Sequence, residues 1–305
     1  MGAIIMIKIR MEDIDNKTLL NDIISKKNGR DLDRCNKCGK QGGEECESCN
    51  NYDNKGLMEK VKTYVFERYD FYSKNSNNLN LITKNNTIIG HTKDLFHSSY
   101  DYSADFKKVR EQIFTSMPAA IQAKCPFCMI SAPNTLDHYF DKGDYPEFSV
   151  YTPNLIPCCS ECNTQKGSKI FLKNGERKVL HYYYDKIPNY QFLVMTLELS
   201  DNIPVIKISL KLDESKEEDR IIKNHFAALK LEERYKKQFN DQLSTLINEF
   251  RDYYLEEKNI NNIIEMINRR IDSYRKNNGI NYWVACLFDG VVKNQDVFVT
   301  LLRVS

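Results

Sequence analysis

The last third of the chain carries its most regular hydrophobic pattern. Apolar residues recur at intervals of three and four from Leu231 to Tyr254, and again from Ile260 to Tyr274. This spacing places the apolar side chains on one face of a helix. The pattern therefore predicts two long amphipathic helices, followed by shorter ones between Trp283 and Leu302, and packing into a helical core is the ordinary use of such faces.

Two other patterns predict the remaining elements. Residues 189–199 and 204–212 alternate apolar and polar positions around the sequence SDNI, which predicts a β-hairpin. Helical spacing predicts further helices over residues 16–27, 56–72 and 105–115. The Asn-rich residues 77–94 predict a loop with a short hairpin.

Composition narrows the class of protein. The 305 residues include 44 basic and 42 acidic ones, so a surface that binds a polyanion has to be a local patch. No stretch approaches the roughly 18 apolar residues of a membrane span, and the first residues do not match a signal peptide. We therefore expect a cytoplasmic protein. Because most of the ten cysteines stand in Cys-x-x-Cys pairs, we expect metal binding rather than disulfide bonds.

Two Cys-x-x-Cys knuckles lie about thirty residues apart in the middle of the chain. They consist of Cys125 with Cys128 and Cys159 with Cys162. Four cysteines complete the tetrahedral shell of Zn²⁺ and leave no open position, so this zinc would be structural. Cys158 could replace Cys159 by a slip of one residue. We prefer Cys159, because its two-residue gap to Cys162 gives the tight turn that points both sulfurs at one ion.

A second set of cysteine pairs lies nearer the N terminus. It consists of Cys35, Cys38, Cys46 and Cys49, with turn-forming glycines between the pairs. Four thiolates at this spacing predict a second structural Zn²⁺. The gap of seven residues is short for a zinc ribbon, and the alternative is a flexible Cys-rich loop.

Polar residues suited to catalysis lie between and after the central knuckles. Asp137 precedes His138 in the segment TLDHYF, and Asn163 follows the last cysteine. Hydrolysis of a phosphodiester needs a group that takes a proton from water, and an imidazole suits this task at neutral pH. A hard cation, Mg²⁺ or Mn²⁺, would stabilise charge on the phosphate and prefers oxygen ligands, here Asp137 and Asn163. The alternatives for His138 are a packed or solvated histidine and a zinc ligand.

The order of these residues resembles a known family. LDH at 136–138, NL at 154–155 and CNTQKGS at 162–168, inside paired knuckles, resemble a zinc-containing HNH endonuclease over roughly residues 120–175. The resemblance implies a ββα-metal core, in which two strands joined by a loop are followed by a helix. This agrees with what the spacing alone indicates.

The resemblance also implies roles for single residues. His138 would be the general base on the first strand, and Asn154 would hydrogen-bond within the loop and orient that histidine. Asn163, on the helix, and Asp137 would hold the catalytic metal. The family often has histidine where Asn163 stands, which leaves open the metal that is preferred.

A narrower resemblance concerns the whole segment between the knuckles. LDHYFDKGDYPEFSVYTPNLIPCCSECN resembles the HNH proteins of anti-phage systems, including the nuclease partner of an ATPase in Septu-type and retron-associated systems. Similar proteins end in a helical region with a tryptophan, as this chain does. The resemblance implies a defence effector with an ATPase partner. On physical grounds the segment at 145–148 is equally well explained as a turn with an aromatic anchor.

Basic residues cluster just after the second knuckle. Residues 164–178 contain five lysines and arginines and one acid, Glu176. Lys166 and Lys169 stand nearest Asn163, so we expect them to contact the nucleic-acid backbone without reading its sequence. The alternative is a solvated helix face, and the sequence does not distinguish DNA from RNA.

Together these features predict an α+β chain of three parts. Residues 1–104 would hold the N-terminal zinc, residues 105–180 the nuclease core, and residues 181–305 the hairpin and the helical region. The expected function is metal-dependent hydrolysis of DNA. The alternatives are a zinc-dependent nucleic-acid-binding module that does not cut, a protein scaffold, and a sequence-specific restriction endonuclease.

Overall fold

The structure is a computed structural model and describes residues 14–27, 53–117 and 122–304. In these residues the fold is α+β, mainly helical, with two antiparallel β-hairpins. This confirms the α+β class, the mainly helical content and the extra β-hairpin. The predicted N-terminal zinc knuckle of Cys35, Cys38, Cys46 and Cys49 lies outside the described residues.

The elements follow one another in four groups. The first helices are α1 (Asn16–Ser25), α2 (Asn54–Lys74), α3 (Gly90–Tyr102) and α4 (Ala104–Thr115). The central segment contains strands β1 (Thr135–His138) and β2 (Leu155–Cys158) and helix α5 (Ser160–Lys166). A second hairpin consists of β3 (Leu193–Ser200) and β4 (Ile203–Leu210). The last helices are α6 (Glu217–Ala228), α7 (Leu231–Glu257), α8 (Ile260–Asn278), α9 (Trp283–Lys293) and α10 (Gln295–Arg303).

Side chains cap the first two helices at their N-terminal ends. Asp15 accepts hydrogen bonds from the backbone N–H groups of Lys17 and Thr18, at 3.0 and 3.1 Å. Asp53 accepts one from the N–H of Gly56 at 2.9 Å. These bonds satisfy donors that have no partner inside the helix, which explains where α1 and α2 begin.

The Asn-rich segment at 77–94 differs from the prediction. It forms a 3₁₀ turn at Leu79–Leu81 and then enters α3 at Gly90, and the structure shows no strand there. The buried side chains of α3 are Thr92, Leu95, Phe96 and Ser99. They share one helical face, but two of the four are polar. A period read from apolar residues alone therefore missed this helix.

The second hairpin and the C-terminal helices agree with the sequence patterns. β3 and β4 pair in register from Leu193 opposite Leu210 to Ser200 opposite Ile203. Asp201 and Asn202 between them have φ angles of 51° and 64°, which suits a tight two-residue turn. Helix α9 packs on β3, and α7 and α8 are the two long amphipathic helices that the spacing predicts.

No helix in the described ranges combines the length and the apolar character needed to cross a membrane.

Candidate functional site

The central segment folds as a strand, a loop, a second strand and a helix. β1 and β2 are antiparallel, with Asp137 opposite Ile156 and His138 opposite Leu155. Helix α5 begins two residues after β2 and packs against β1. The segment therefore has the ββα order that the spacing of its motifs indicates.

Four buried cysteines lie at one end of this unit. They are Cys125, Cys128, Cys159 and Cys162, and their sulfur atoms lie within 4.8 Å of one another. Four sulfurs at about 2.3 Å from a tetrahedral Zn²⁺ lie about 3.8 Å apart, and Cys128 Sγ lies 3.8 Å from Cys159 Sγ. The cluster can therefore hold a structural zinc ion. Cys158 belongs to β2, opposite Thr135, and the structure places the sulfur of Cys159 in the cluster, as the preferred spacing predicts.

The C-terminal helices support the first knuckle from outside. Three successive backbone carbonyls there accept hydrogen bonds from buried side chains: Phe127 O from His225, Cys128 O from Tyr235 and Met129 O from Trp283, at 2.9, 3.2 and 3.1 Å. These bonds join residues on either side of position 180. The helical region therefore forms part of the scaffold of the metal centre.

Arg234, on α7, contacts the cysteine cluster directly. Its Nη1 donates to Cys162 Sγ at 3.2 Å, and its Nη2 lies 3.8 Å from Cys159 Sγ. Four thiolates around a zinc ion would leave an excess of two negative charges, and the side chain of Arg234 is buried beside the sulfur atoms. The guanidinium would then offset part of that charge.

His138, the last residue of β1, is held through one ring nitrogen. Its Nε2 lies 2.9 Å from the carbonyl oxygen of Ser149, in the loop between the strands. A carbonyl can only accept, so Nε2 carries the hydrogen and Nδ1 of the neutral ring keeps its lone pair. Burial lowers the pKa of His138 to about 3, although the bond to Ser149 opposes this shift. The ring is therefore neutral and can accept a proton at Nδ1.

Asp137 is buried and forms an ion pair with a buried lysine. Its Oδ1 lies 3.0 Å from Lys166 Nζ, and both side chains are at most 3% exposed. Its Oδ2 is buried and has no hydrogen-bond partner among the described residues. Burial raises the pKa of Asp137, and the charge of Lys166 works against this shift. An oxygen left without a donor in this way fits a hard cation.

Asn163 lies on the same side of β1 as Asp137. Its Nδ2 is 3.4 Å from the hydroxyl of Thr135, which is two positions before Asp137 in the strand. Residues two apart in a strand share a face, and Asn163 and Lys166 are three apart in α5, which places them on one helical face. The helix therefore presents Asn163 and Lys166 to the strand face that bears Asp137.

Asn154 closes the loop between the two strands. It is completely buried, accepts a hydrogen bond from Phe140 N at 2.8 Å and donates one to Phe140 O at 2.9 Å. Its Nδ2 also lies 3.4 Å from the carbonyl of Phe148, the residue before Ser149. Through this bond Asn154 fixes the stretch of backbone that binds His138.

The basic stretch at 164–178 is differently placed from the prediction. Lys166 was expected to contact nucleic acid, but its ammonium faces Asp137 and the carbonyl of His138 instead of solvent. Arg177 forms a bidentate pair with Asp185 at 2.8 Å. Lys169 is exposed, and so is Lys173. The exposed basic surface of this stretch is therefore smaller than the count of charged residues indicates.

The segment Tyr145–Phe148 is part of the core. All four side chains are buried, and Glu147 pairs with Arg68 at 2.9 Å. The aromatic rings of Tyr145 and Phe148 lie 5.0 and 6.3 Å from that of Phe140. This arrangement is that of a buried turn with aromatic anchors.

Several residues at the site give no signal in the sequence. Ser149 contacts His138 through its backbone carbonyl, so the identity of its side chain does not indicate this role. Tyr100, from α3, places its ring 4.4 Å from that of His138, and Arg110 and Lys142 lie 4.6 and 4.8 Å from the Tyr100 ring. Tyr100 and Arg110 lie about 30 to 40 residues before His138 in the chain, so no local spacing marks these contacts.

Comparison with known proteins gives little further guidance. No family model and no solved structure matches the chain. Protein ea31 of Escherichia phage lambda is 34% identical over 83 residues, which cover 27% of this chain and 28% of that protein. The matched part is thus well under half of either chain, and the name states no activity. The function has to be argued from the site.

Proposed function

We propose that this protein is a metal-dependent endonuclease of the HNH type that hydrolyses phosphodiester bonds in DNA. The observation that carries the proposal is the hydrogen bond from His138 Nε2 to Ser149 O, 2.9 Å long. It fixes the tautomer that leaves Nδ1 as a proton acceptor, in a side chain that is partly exposed.

In the proposed reaction a water oxygen attacks the phosphorus while the proton of that water passes to His138 Nδ1. The bond from phosphorus to the leaving oxygen breaks, and that oxygen departs with the electron pair. A pKa of about 3 makes the free imidazole a weak base. A phosphodiester bound beside the ring brings negative charge, which opposes the lowering of the pKa, and a divalent cation on the same phosphate would reduce this effect. The bond to Ser149 keeps the ring in one orientation while its charge changes.

The other residues position the phosphate and its counter-ion. Asp137 Oδ2 and the amide oxygen of Asn163 would hold Mg²⁺ or Mn²⁺, which when bound stabilises charge on the phosphate and the leaving oxygen. Lys169 and Lys173 are exposed beyond the end of α5 and would contact the backbone. The cysteine cluster would fix β2 and α5 relative to each other.

The test is cleavage of plasmid DNA by the purified chain. We expect nicking or linearisation with Mg²⁺ or Mn²⁺, none with EDTA, and a loss of roughly 100-fold or more in His138→Ala, the usual contribution of a general base. His91→Ala, on α3, is the matched histidine control and should cut like the parent. Unchanged cleavage by His138→Ala would contradict the proposal, and cleavage of RNA but not DNA would change the substrate.

A second candidate function is a zinc-dependent nucleic-acid-binding module that does not cut. The observation in its favour is the Asp137–Lys166 pair, because an ammonium already neutralises the carboxylate without a divalent ion. For this function we expect the protein to bind DNA in the presence of EDTA, as long as the structural zinc stays bound. We expect no cleavage with any added divalent metal. The proposed defence role with an ATPase partner rests on the resemblance alone, and cleavage that starts only when the ATPase is added would support it.

A further inference from the structure

The ammonium group of Lys166 contacts two neighbouring residues of β1, Asp137 and His138. Its Nζ lies 3.0 Å from Asp137 Oδ1 and 2.8 Å from the carbonyl oxygen of His138. The side chain is 1% exposed, so its charge is poorly screened by water. A single buried ammonium therefore contacts the carboxylate of Asp137 and the backbone carbonyl of His138.

The charges of this cluster leave a divalent cation poorly compensated. Lys166 and Asp137 together carry no net charge, and Asp141 is the further acid whose charge acts on Asp137. A cation at Asp137 Oδ2 would add two positive charges beside a buried ammonium. In a partly buried site such an excess is costly unless more negative charge arrives.

A nucleic-acid phosphate is the group that supplies this charge. In the proposed reaction it binds beside His138 and Asn163, where it would share the cation with Asp137. Lys166 disfavours the cation in the free protein, and the single negative charge of the phosphodiester offsets part of the excess positive charge in the complex. The two ligands are then linked, and each must strengthen the binding of the other by the same factor.

We infer that Lys166 makes binding of the divalent cation depend on binding of the phosphodiester backbone. This inference rests on the proposed function and adds to it the order of loading, in which the metal is retained when nucleic acid is present. Lys166 is thus a positioning residue that acts through Asp137. It does not itself contact the reacting atoms.

The experiment measures Mn²⁺ affinity by titration of the free-ion signal in electron paramagnetic resonance. The zinc-loaded His138→Ala variant is used with and without a short DNA duplex, so that the DNA stays intact. We expect Mn²⁺ to bind at least about fivefold more tightly with DNA, the lower end of usual coupling between sites. Adding Lys166→Gln, which keeps a donor but removes the charge, should tighten binding without DNA and abolish the coupling.

Three controls separate the possible outcomes. Lys166→Arg keeps the charge and should keep the coupling, and Lys173→Gln removes an exposed charge and should leave Mn²⁺ affinity without DNA unchanged. Equal Mn²⁺ affinity with and without DNA overturns the inference, even if the Lys166→Gln variant fails to fold. Loss of coupling with no gain in affinity in Lys166→Gln overturns it as well. If Asp137→Asn does not weaken Mn²⁺ binding, the metal site of the proposed function is wrong.

Discussion

Arg234 is the residue that connects the helical region to the charge of the metal centre. It lies on α7, far along the chain from the knuckles, yet both of its terminal nitrogens face cluster sulfurs. It also pairs with Glu161 at 3.0 Å, although that carboxylate is largely exposed and contributes little. Hydrogen bonds to the ligand sulfurs reduce the negative charge that these atoms donate to a bound metal ion. They also hold the sulfurs in position.

Replacing Arg234 should therefore weaken zinc binding without removing a ligand. We expect Arg234→Met, which keeps most of the apolar stem, to lower zinc affinity by about 10- to 100-fold, as changes next to metal ligands do. Transfer of zinc to a chromophoric chelator measures this. Arg269→Met, an exposed arginine on α8, is the control and should retain its zinc. Equal transfer from both variants would show that Arg234 is only a packing residue.

At this scale the sequence revealed residue types and short spacings. The Cys-x-x-Cys pairs identified the cluster, because a tight turn between two sulfurs is a local property. The spacing could not reveal that Lys166 turns inward, since its partner Asp137 is on a strand 29 residues earlier. It also could not reveal the carbonyl of Ser149, which any residue at that position would supply.

Helix α6 is attached to the metal centre by one neutral histidine. His225 Nε2 donates to Phe127 O at 2.9 Å, and its Nδ1 accepts from the backbone N–H of Leu180 at 3.4 Å. Both ring nitrogens are used, so protonation would cost the second bond. Burial lowers the pKa of His225 to about 4, with Arg234 adding to the shift and the bond to Phe127 opposing it.

The stability of the protein should depend on pH through this attachment. In the unfolded chain a histidine takes up a proton below about pH 6.5. In the folded protein the imidazole of His225 stays neutral down to about pH 4, because its pKa is about 4. Folding stability therefore falls as pH decreases between these values, by about 2 kcal/mol from pH 7 to pH 5 for this group. His225→Gln should lose that part of the dependence in denaturant titrations.

The control is Lys223→Gln, an exposed position on the same helix. It should follow the pH dependence of the parent, because Lys223 is exposed and pairs with the exposed Glu214. Comparing variants at each pH removes contributions from the other buried histidines and from zinc release, which all of them share. Parallel curves for His225→Gln and the parent would contradict the role given to this histidine.

Elements were predictable where one face is uniformly apolar. α7, α8 and the hairpin β3–β4 satisfy this condition, and their periods are clear in the sequence. α3 does not, since Thr92 and Ser99 occupy half of its buried stripe. How the elements pack is a different matter. Gly290 lets α9 approach β3 more closely than a Cβ would allow, against the backbone of Met195, and no period of residues marks such an approach.

In the whole molecule, the knuckle and the C-terminal helices share one set of hydrogen bonds. One side chain from each of helices α6, α7 and α9 donates a hydrogen bond to a backbone carbonyl of residues 127–129. The sequence predicts a boundary between residues 180 and 181, and these hydrogen bonds cross it. The structure instead predicts that the metal centre and the helices lose their order together.

Trp283 makes this coupling measurable, because it is the single tryptophan of the chain. Its indole N–H is bonded to Met129 O, its ring stacks on that of Tyr235 at 5.5 Å, and it is 4% exposed. Removal of zinc should free the knuckle backbone and let water reach the indole. Its fluorescence emission should then shift to longer wavelength.

Two adjacent cysteines give the matched pair of variants for this test. Cys158 and Cys159 are both buried, but only Cys159 belongs to the cluster. We expect Cys159→Ala to hold about one zinc fewer than the parent, by the four-ligand rule, and to show the red-shifted emission of Trp283. Cys158→Ala should keep both the zinc and the emission, since it loses only packing in β2. If the two variants shift equally, the emission reports general loosening of the core, and the helices do not depend on the ion for their order.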